Sequence, residues 1–408
     1  MPQELASTAY GEAPVDPHAK PHRLRVLAVL SALMGFASIS TDLYLPAMPT
    51  MAYDLGADAG DMELTVSGFL IGFSLGQLLW GPLGDRYGRR LPIAVGLVLF
   101  VIGSTGCAIS GNANEMITWR VVQAVGACSG VVLSRAMVRD LYEGSRAAQM
   151  LSTLITVMAT APLLGPIVGG QVLAVAGWRM IFWLLVAVGL ITLAALFTIP
   201  ETLSAQRRSE ASLRSSFRGY LQLITERRLL GFAVAGGFFY AGIYAYIAGT
   251  PFAFIEYYHV PSQLYGVLFA LGIVGIMLTN VANARLVGRL GSRRLLRFGT
   301  AGAALSGLAL LATGTTNWGG LAGLAFPLFV YVSCSGLIVA NSIGGALQDF
   351  PERAGAVSAL IGALHYGCGI LGSAAVGALV DGSPTALALV VAISGIGSFL
   401  CLFLVPRG

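Results

Sequence analysis

Twelve runs of mostly apolar residues, each about 20 residues long, constrain the fold of this chain more than any other feature. A helix needs about 20 such residues to cross the hydrocarbon core of a bilayer. We therefore predict an all-α membrane protein with lipid as its surroundings. The predicted spans lie near 24–49, 62–83, 91–110, 115–138, 148–174, 178–199, 228–255, 264–287, 294–313, 318–342, 355–379 and 384–405.

The composition supports this class and excludes the common soluble ones. Only 11% of the 408 residues are charged and 56% are hydrophobic, whereas a soluble domain has about 25% charged residues. The net charge of +5 does not indicate nucleic-acid binding, because the basic residues share no soluble face. The five cysteines lie scattered in apolar runs without a CxxC pair, which is typical of small buried side chains.

The basic residues predict how the spans are oriented. Of the 24 Lys and Arg residues, 22 lie in the termini or in alternate loops, and the loop at 50–61 carries three aspartates instead. Because cytoplasmic loops are enriched in Lys and Arg, both termini and the central loop are expected in the cytoplasm. The alternation holds only for an even number of spans.

The chain is expected to divide into two similar halves. Residues 1–22 are polar and proline-rich and are expected to form a disordered cytoplasmic tail. We predict a first six-helix bundle over 23–199, a cytoplasmic linker over 200–227 and a second bundle over 228–408. The loop 81–90 is echoed at 287–294, and the segment 139–143 is echoed at 348–352, each about 200 residues later. Such repeats are typical of transporters with a substrate path between the halves.

The loop between spans two and three resembles the signature loop of the major facilitator superfamily, G-x-L-x-D-R-x-G-R-R. The resemblance implies that this loop is a conformational switch. We expect its glycines to allow helices to approach, Asp85 to face a helix N-terminus, and Arg89 to pair with Asp140 in one conformation only. Plain positive-inside topology is the alternative, and it accounts for the arginines alone. The switch residues are Gly81, Gly84, Asp85, Arg86, Gly88, Arg89, Arg90 and Asp140.

Four further segments resemble elements of that superfamily or of one of its branches. Residues 161–170 of span five resemble the G-P-x-x-G-G element of its drug antiporters, which implies a hinge at Gly165, Pro166, Gly169 and Gly170; an ordinary kinked helix is the alternative. Arg120, Gln123 and Gly126 resemble an R-x-x-Q-G element in span four. The segments 41–49 and 134–142 resemble the bicyclomycin/chloramphenicol-resistance (Bcr/CflA) branch.

Two charges within the apolar spans are candidates for proton coupling. Asp42 on span one and Arg120 on span four lie at similar depth, and charges inside a membrane are energetically unfavourable and usually functional. We predict that Asp42 binds the transported proton and that Arg120 is its partner or regulator. The alternative is that Asp42 caps the end of span one or faces water outside.

Several polar and aromatic residues are weaker candidates for the substrate cavity. An aromatic stripe is as typical of a helix core, His365 fits a packed histidine equally well, and Asn341 is also able to bond a neighbouring helix. These cavity candidates are Tyr44, Gln123, Tyr240, Tyr244, Asn341 and His365.

The resemblance implies a proton-coupled antiporter that exports small-molecule drugs or antibiotics by alternating access in the bacterial cytoplasmic membrane. We expect protons and a small molecule as partners, a monomer as the working unit, and no cofactor, metal or nucleic acid. The first alternative is a proton-coupled uptake carrier for a small metabolite. The second is a polytopic membrane enzyme, but the sequence contains no His-rich cluster and no GxxxxGK[ST] loop for using ATP.

Overall fold

The computed structural model describes residues 19–142, 144–209, 213–348, 350, 353–379 and 381–404, and within these ranges every regular element is a helix. Among these described residues, twelve helices or helix pairs are long and apolar enough to cross a membrane, which confirms the predicted fold class. In chain order, spans 1 to 12 are Ala19–Asp42 with Met48–Asp54, Ala59–Tyr87, Arg90–Ile109, Ala113–Leu141, Gly144–Ala176, Trp178–Leu196, Arg227–Pro251, Ser262–Leu290, Ser292–Thr316, Gly320–Ser333 with Ser335–Gln348, Ala354–Ala378 and Thr385–Leu400.

Two boundaries differ from the sequence prediction. The first helix begins at Ala19, so residues 19–22 of the predicted tail are helical, while the apolar stretch of span 1 begins at Leu24; Pro21 is tolerated there because the first turn needs no backbone N–H bond. Residues 1–18 lie outside the described part. The predicted linker contains a helix, Leu213–Leu223, whose Tyr220 and Leu223 are buried against spans 7 and 11.

The first helices of both halves are irregular near the same end. Span 1 is interrupted after Asp42 by the short 3-10 helix Leu45–Ala47, which contains Pro46. Span 7 changes after Pro251 into the π-helix Phe252–Tyr257. Proline removes a backbone donor and interrupts the α-helical pattern in both segments. Because π-helical turns are frequent at functional sites, both interruptions are candidates for functional segments.

The two ends of the bundle carry different charges. The arginine-rich side contains the loop around Arg89 and the end of span 8 at Arg289, and the acidic side contains the turn with Asp54, Asp58 and Asp61. Consecutive spans alternate between these two sides, as the charge pattern of the sequence requires.

The two bundles meet along spans 2 and 11 and along spans 5 and 8. Near the acidic side, Gly60 lies against the backbone of Gly377, and Gly266 lies against the backbone of Ile167. Further along, Ser67 Oγ and Ser373 Oγ are 2.7 Å apart. Because small residues permit backbone contact between helices, these positions close the interface between the halves on the acidic side.

Candidate transport site and gate

A cavity of about 150 Å³ lies between the two bundles, near the middle of the spans. Both halves contribute to its wall, and aromatic rings and aliphatic side chains predominate. Its lining residues are Ala37, Ser38, Thr41, Asp42, Phe69, Phe73, Pro162, Tyr244, Ile247, Phe269, Ile273 and Tyr366. An apolar wall with a few polar groups is the usual character of a small-molecule site.

Asp42 is the acidic residue of this wall. It is the last residue of the first helix of span 1 and is only 4% exposed. A negative charge at a helix C-terminus is disfavoured by the helix dipole, and a buried charge requires compensation. The site therefore favours a partner for the carboxylate, either a proton or the positive end of a substrate. Burial in the cavity wall does not fit the alternative that Asp42 faces water outside.

The glycines of span 5 lie directly against this acidic residue. A Cβ atom on Gly165 would be 3.0 Å from the Cβ of Asp42, and one on Gly169 would meet the carbonyl oxygen of Leu43. Gly170 contacts Ser262 at the start of span 8 in the same way. The candidate hinge thus joins the carboxylate of the first half to a helix of the second half.

Arg120 does not form an ion pair with Asp42 in the described part of the chain. Its guanidinium is fully buried inside the first bundle, between the rings of Tyr44 and Phe69, whose centroids lie 4.3 and 4.5 Å away. One NH group donates to the carbonyl oxygen of Ser40 at 2.8 Å. Arg120 therefore binds the backbone of span 1 two residues before Asp42.

Two cavity candidates from the sequence belong to this arginine network instead. Gln123 Oε1 accepts from Arg120 at 2.7 Å, and its Nε2 donates to Ser104 at 2.8 Å. The hydroxyl of Tyr44 bonds Thr65 at 3.1 Å. Both residues lie behind the cavity wall, because their polar groups are satisfied inside the first bundle.

Of the aromatic candidates in the second half, one lines the cavity and the others lie behind its wall. Tyr244 lines the cavity as expected. Tyr240 lies behind it, with its ring centroid 4.6 Å from His365 and 5.7 Å from Tyr366. His365 is buried and its Nε2 has no hydrogen-bond partner. Tyr240 and His365 support the wall rather than forming it.

Asn341 connects two helices of the second bundle. Its amide donates to Asn283 Oδ1 at 2.6 Å and to the carbonyl oxygen of Leu337 at 2.7 Å. A buried amide paired in this way stabilises helix association. Of the two roles considered from the sequence, the structure supports the helix contact.

Arg89 is the centre of a charge cluster on the arginine-rich side. Its Nε donates to Asp140 Oδ2 at 2.8 Å, which is the pair expected from the sequence, and an NH group donates to Asp85 Oδ1 at 2.6 Å. Both side chains of the Arg89–Asp140 pair are buried, so this pair is shielded from solvent in a way that surface pairs are not, whereas Asp85 is exposed. The cluster joins the ends of spans 2 and 4.

The carboxylate at the N-terminus of span 3 is that of Glu201, and not that of Asp85 as expected from the sequence. Its carboxylate accepts the backbone N–H groups of Arg89 and Arg90, at 2.8 and 3.0 Å, where span 3 begins. Partial burial opposes ionisation, but backbone N–H donors hold the pKa of Glu201 below its usual value. Sequence reasoning missed Glu201, although it follows Pro200 at the end of span 6, where the chain returns to the loop.

The loop glycines differ in what they do. Gly84 contacts Leu133 of span 4, which fits close helix packing. Gly88 has φ +88°, and a Cβ there would be 2.7 Å from Glu201. Gly81 has open space at its Cβ position, so the expectation of close approach is wrong for it. Arg86 is exposed and Arg90 lies over Phe197, both outside the ion pairs.

Tyr366 is the main wall residue that sequence reasoning missed. Its ring centroid is 4.6 Å from that of Phe73, so the two rings join the halves across the cavity. The sequence pattern that could have identified it is Gly362, Tyr366 and Gly369 on span 11. In the structure, Gly362 lies against Gln77 and Gly369 lies against Tyr244. Their spacing of four and three residues places them on one helix face.

Comparisons with known proteins agree on one family. The family model described as Major Facilitator Superfamily matches residues 30–373. The chain is 33% identical to the uncharacterized MFS-type transporter YdgK of Bacillus subtilis, over 87% of this chain and 89% of that protein. It is 31% identical to a bicyclomycin resistance protein homolog of Haemophilus influenzae, over 85% and 87%. It is 32% identical to a chloramphenicol resistance protein of Pseudomonas aeruginosa, over 81% and 78%.

Solved structures share the fold at low sequence identity. The partially occluded inward open conformation of the xylose transporter XylE from E. coli has a TM-score of 0.72 at 17% identity, over 94% of this chain and 97% of that one. A crystal structure of a mutant of the nucleoside transporter NupG has a TM-score of 0.73 at 16% identity, over 93% and 98%. These likenesses concern the fold alone.

Proposed function

Since the chain belongs to the Major Facilitator Superfamily, we propose that it is a proton-coupled antiporter that exports small-molecule drugs or antibiotics by alternating access. The relatives named for bicyclomycin and chloramphenicol resistance support export, and they support the resemblance to the Bcr/CflA branch. The observation that carries the proposal is Asp42, a carboxylate in the wall of the central cavity that lies against Gly165 of the candidate hinge.

A proton and a substrate use Asp42 in turn. The carboxylate receives the substrate from the arginine-rich side, which we propose to be cytoplasmic because of its basic loops. After the halves rock, a proton from outside neutralises Asp42 and the substrate leaves. The membrane potential assists this proton with about 2.3 kcal/mol per charge per 100 mV.

The contacts of Asp42 connect its charge state to the motion of the halves. Gly165 and Gly169 lie against residues 42 and 43, and Gly170 of the same helix lies against Ser262 of the second half. A change in solvation or occupancy at Asp42 therefore alters the contact between spans 1 and 5, and with it the closure on the acidic side. Arg120 keeps span 1 in place on the opposite face of this contact.

The Arg89 cluster is the gate on the arginine-rich side. Its ion pair with Asp140 joins spans 2 and 4, and Glu201 fixes the start of span 3 beside it. These contacts stabilise one of the two conformations and break or rearrange in the other, as charge pairs do in bistable proteins. The working unit is a monomer, because both halves of the cavity come from one chain.

The test is transport in inverted membrane vesicles that contain a pH-sensitive dye. We expect chloramphenicol to release protons from energised vesicles with wild-type protein, and Asp42→Asn to abolish this release while protein yield stays unchanged. Ser38→Ala, in the same wall, is the matched control and should retain most of the activity.

Full proton release by Asp42→Asn would disprove the coupling role. Movement of chloramphenicol and protons in the same direction across the vesicle membrane would support the alternative of an uptake carrier. Absence of any flux, together with chemical conversion of the compound, would support the alternative of a membrane enzyme.

A further inference from the structure

A second cavity of about 330 Å³ lies at the acidic side, where the two halves meet. The first half contributes Ala59 and Glu63 of span 2, and the second half contributes the ends of spans 7 and 11 and the start of span 12. Its polar lining residues are Glu63, Glu256, Tyr257, His259 and Ser383. The lining is separate from that of the central cavity, and neither Asp42 nor span 5 contributes to it.

Glu63 is the buried acidic group of this second cavity. The residue is 1% exposed, and its Oε2 has no hydrogen-bond partner among the residues that the structure describes. Beside it, Gly60 and Gly377 bring spans 2 and 11 into backbone contact, so Glu63 is enclosed where the halves meet. A buried carboxylate oxygen without a partner is costly, and a cation in the adjacent space would satisfy it.

The rest of the lining suits an organic cation. Phe252 and Tyr257 present aromatic rings to the space, and aromatic faces attract ammonium groups. Glu256 is exposed and adds a second negative charge at the opening. No group of three or more His, Cys, Asp or Glu residues in the described part of the chain could hold a metal ion, so Glu63, Glu256 and His259 do not form a metal site.

The charges around the opening favour cations as well. Asp58 and Asp61 bond each other's backbone in a capping box on this side, and Asp381 lies in the turn before span 12. On the same side of the bundle, Arg179 donates to the carbonyl oxygens of Ala108 and Ser110 and lies over Trp178. Clefts lined by one sign of charge concentrate ions of the opposite sign.

We propose that the Glu63 cavity is a binding site for monovalent organic ammonium ions, outside the central site. Glu63 supplies the counter-charge, Phe252 and Tyr257 supply the aromatic faces, and Glu256 attracts the ion to the opening. Because the site includes both halves, a bound ion stabilises the conformation that is closed on the acidic side. The proposal adds a substrate class to the proposed exporter and in that respect rests on it, but binding itself requires neither proton coupling nor transport.

The test is equilibrium binding of tetraethylammonium to the full chain in nanodiscs of zwitterionic lipid, measured by calorimetry. We expect Glu63→Gln to weaken binding by about tenfold or more, and Glu256→Gln, which changes an exposed residue, to weaken it by about threefold. Glu115→Gln is the matched control, since Glu115 is acidic and on the same side but outside this cavity; it should change binding by less than about twofold.

Three results would overturn the proposal: no binding to the wild type, unchanged binding to both glutamate variants, or loss of binding in Asp42→Asn with retention in Glu63→Gln. The last result would place the ion in the central cavity. If Glu63→Gln does not fold, the affinity of Glu256→Gln for tetraethylammonium tests the proposal, and unchanged binding by this variant would overturn it. Failure of the proposed function would appear separately, as proton release that does not depend on Asp42.

Discussion

Arg120 illustrates how a buried charge is held without an opposite charge beside it. Two aromatic faces, one carbonyl oxygen and one amide oxygen surround its guanidinium, while its Nε and one NH₂ group have no partner. A planar guanidinium stacks on rings and donates in fixed directions, whereas an ammonium does neither in this way. The geometry at residue 120 therefore requires arginine and not merely a positive charge.

We expect Arg120→Lys to lower the free energy of unfolding by about 2 kcal/mol, because hydrogen bonds to a charged group and both stacking contacts are lost. Thermal unfolding of the purified protein in detergent measures this change. Arg297→Lys, at an exposed position on span 9, is the control and should leave the melting temperature almost unchanged. A lysine variant as stable as the wild type would show that the network does not depend on the guanidinium.

Gly165→Ala tests the contact between the hinge and the carboxylate. The added methyl would lie 3.0 Å from the Asp42 Cβ, so one of the two helices must shift by a few tenths of an ångström. We expect transport to fall by about tenfold, since small displacements near a reacting group have large effects, while expression is retained. Gly367→Ala on span 11, where the Cβ position is open, is the matched control. Equal transport by the two variants would contradict the proposed coupling.

Among the elements, the interrupted first helices and the loop between spans 2 and 3 carry the residues to which we assign roles in transport. The break after Asp42 ends a helix at the depth of the cavity and leaves the carboxylate in its wall. The start of span 3 is fixed by Glu201, a residue about 110 positions later in the chain. Satisfying exposed N–H groups at a helix N-terminus with a carboxylate stabilises that helix.

The pKa of Glu201 predicts a pH dependence of stability. Since its folded-state pKa lies below the ordinary glutamate value of about 4.3, its contribution is fully present above that pH and is lost as the pH falls through the lower, folded value. We expect Glu201→Gln to be less stable than the wild type at pH 7 and the gap in melting temperature to close below about pH 4. A gap that stays constant down to pH 3 would contradict this assignment.

In the molecule as a whole, the two bundles are in contact on the acidic side through glycine and serine residues. Gly60 and Gly377 bring the backbones of spans 2 and 11 into contact, and the hydroxyls of Ser67 and Ser373 bond each other. Contacts made of small residues separate without unpacking a large apolar core, which suits an interface that opens once in each cycle. Closure there and the central cavity together describe one stage of alternating access.

A disulfide between spans 2 and 11 should lock this stage. The Oγ atoms of Ser67 and Ser373 are 2.7 Å apart, so Ser67→Cys with Ser373→Cys places two sulfur atoms within bonding reach. We expect oxidation to abolish transport and dithiothreitol to restore it. Each single variant is the control and should not respond to oxidation. Full transport by the oxidised double variant, with the cross-link demonstrated by mass spectrometry, would show that the halves do not separate at this position.

The spans, the repeat, the family and the choice of Asp42 as the candidate coupling residue follow from the amino-acid sequence alone. These features depend on local quantities, namely apolar length, the placement of arginines and short motifs. The Arg89–Asp140 pair was also predictable, because both residues lie at the same ends of neighbouring spans. Sequence reasoning placed Tyr44 and Gln123 in the cavity wall, whereas both lie behind it. Helical periodicity shows which residues share a face of a helix, but it does not show which neighbouring helix that face contacts.

Which polar groups find partners is known only from the packed helices. Their packing places Arg120 between two rings, assigns the helix N-terminus to Glu201 and leaves Glu63 unpaired at the contact between the halves. Each of these outcomes depends on side chains from segments far apart in the chain. In a membrane interior a buried polar group must be satisfied by another part of the protein, and which part reaches it depends on how the helices pack.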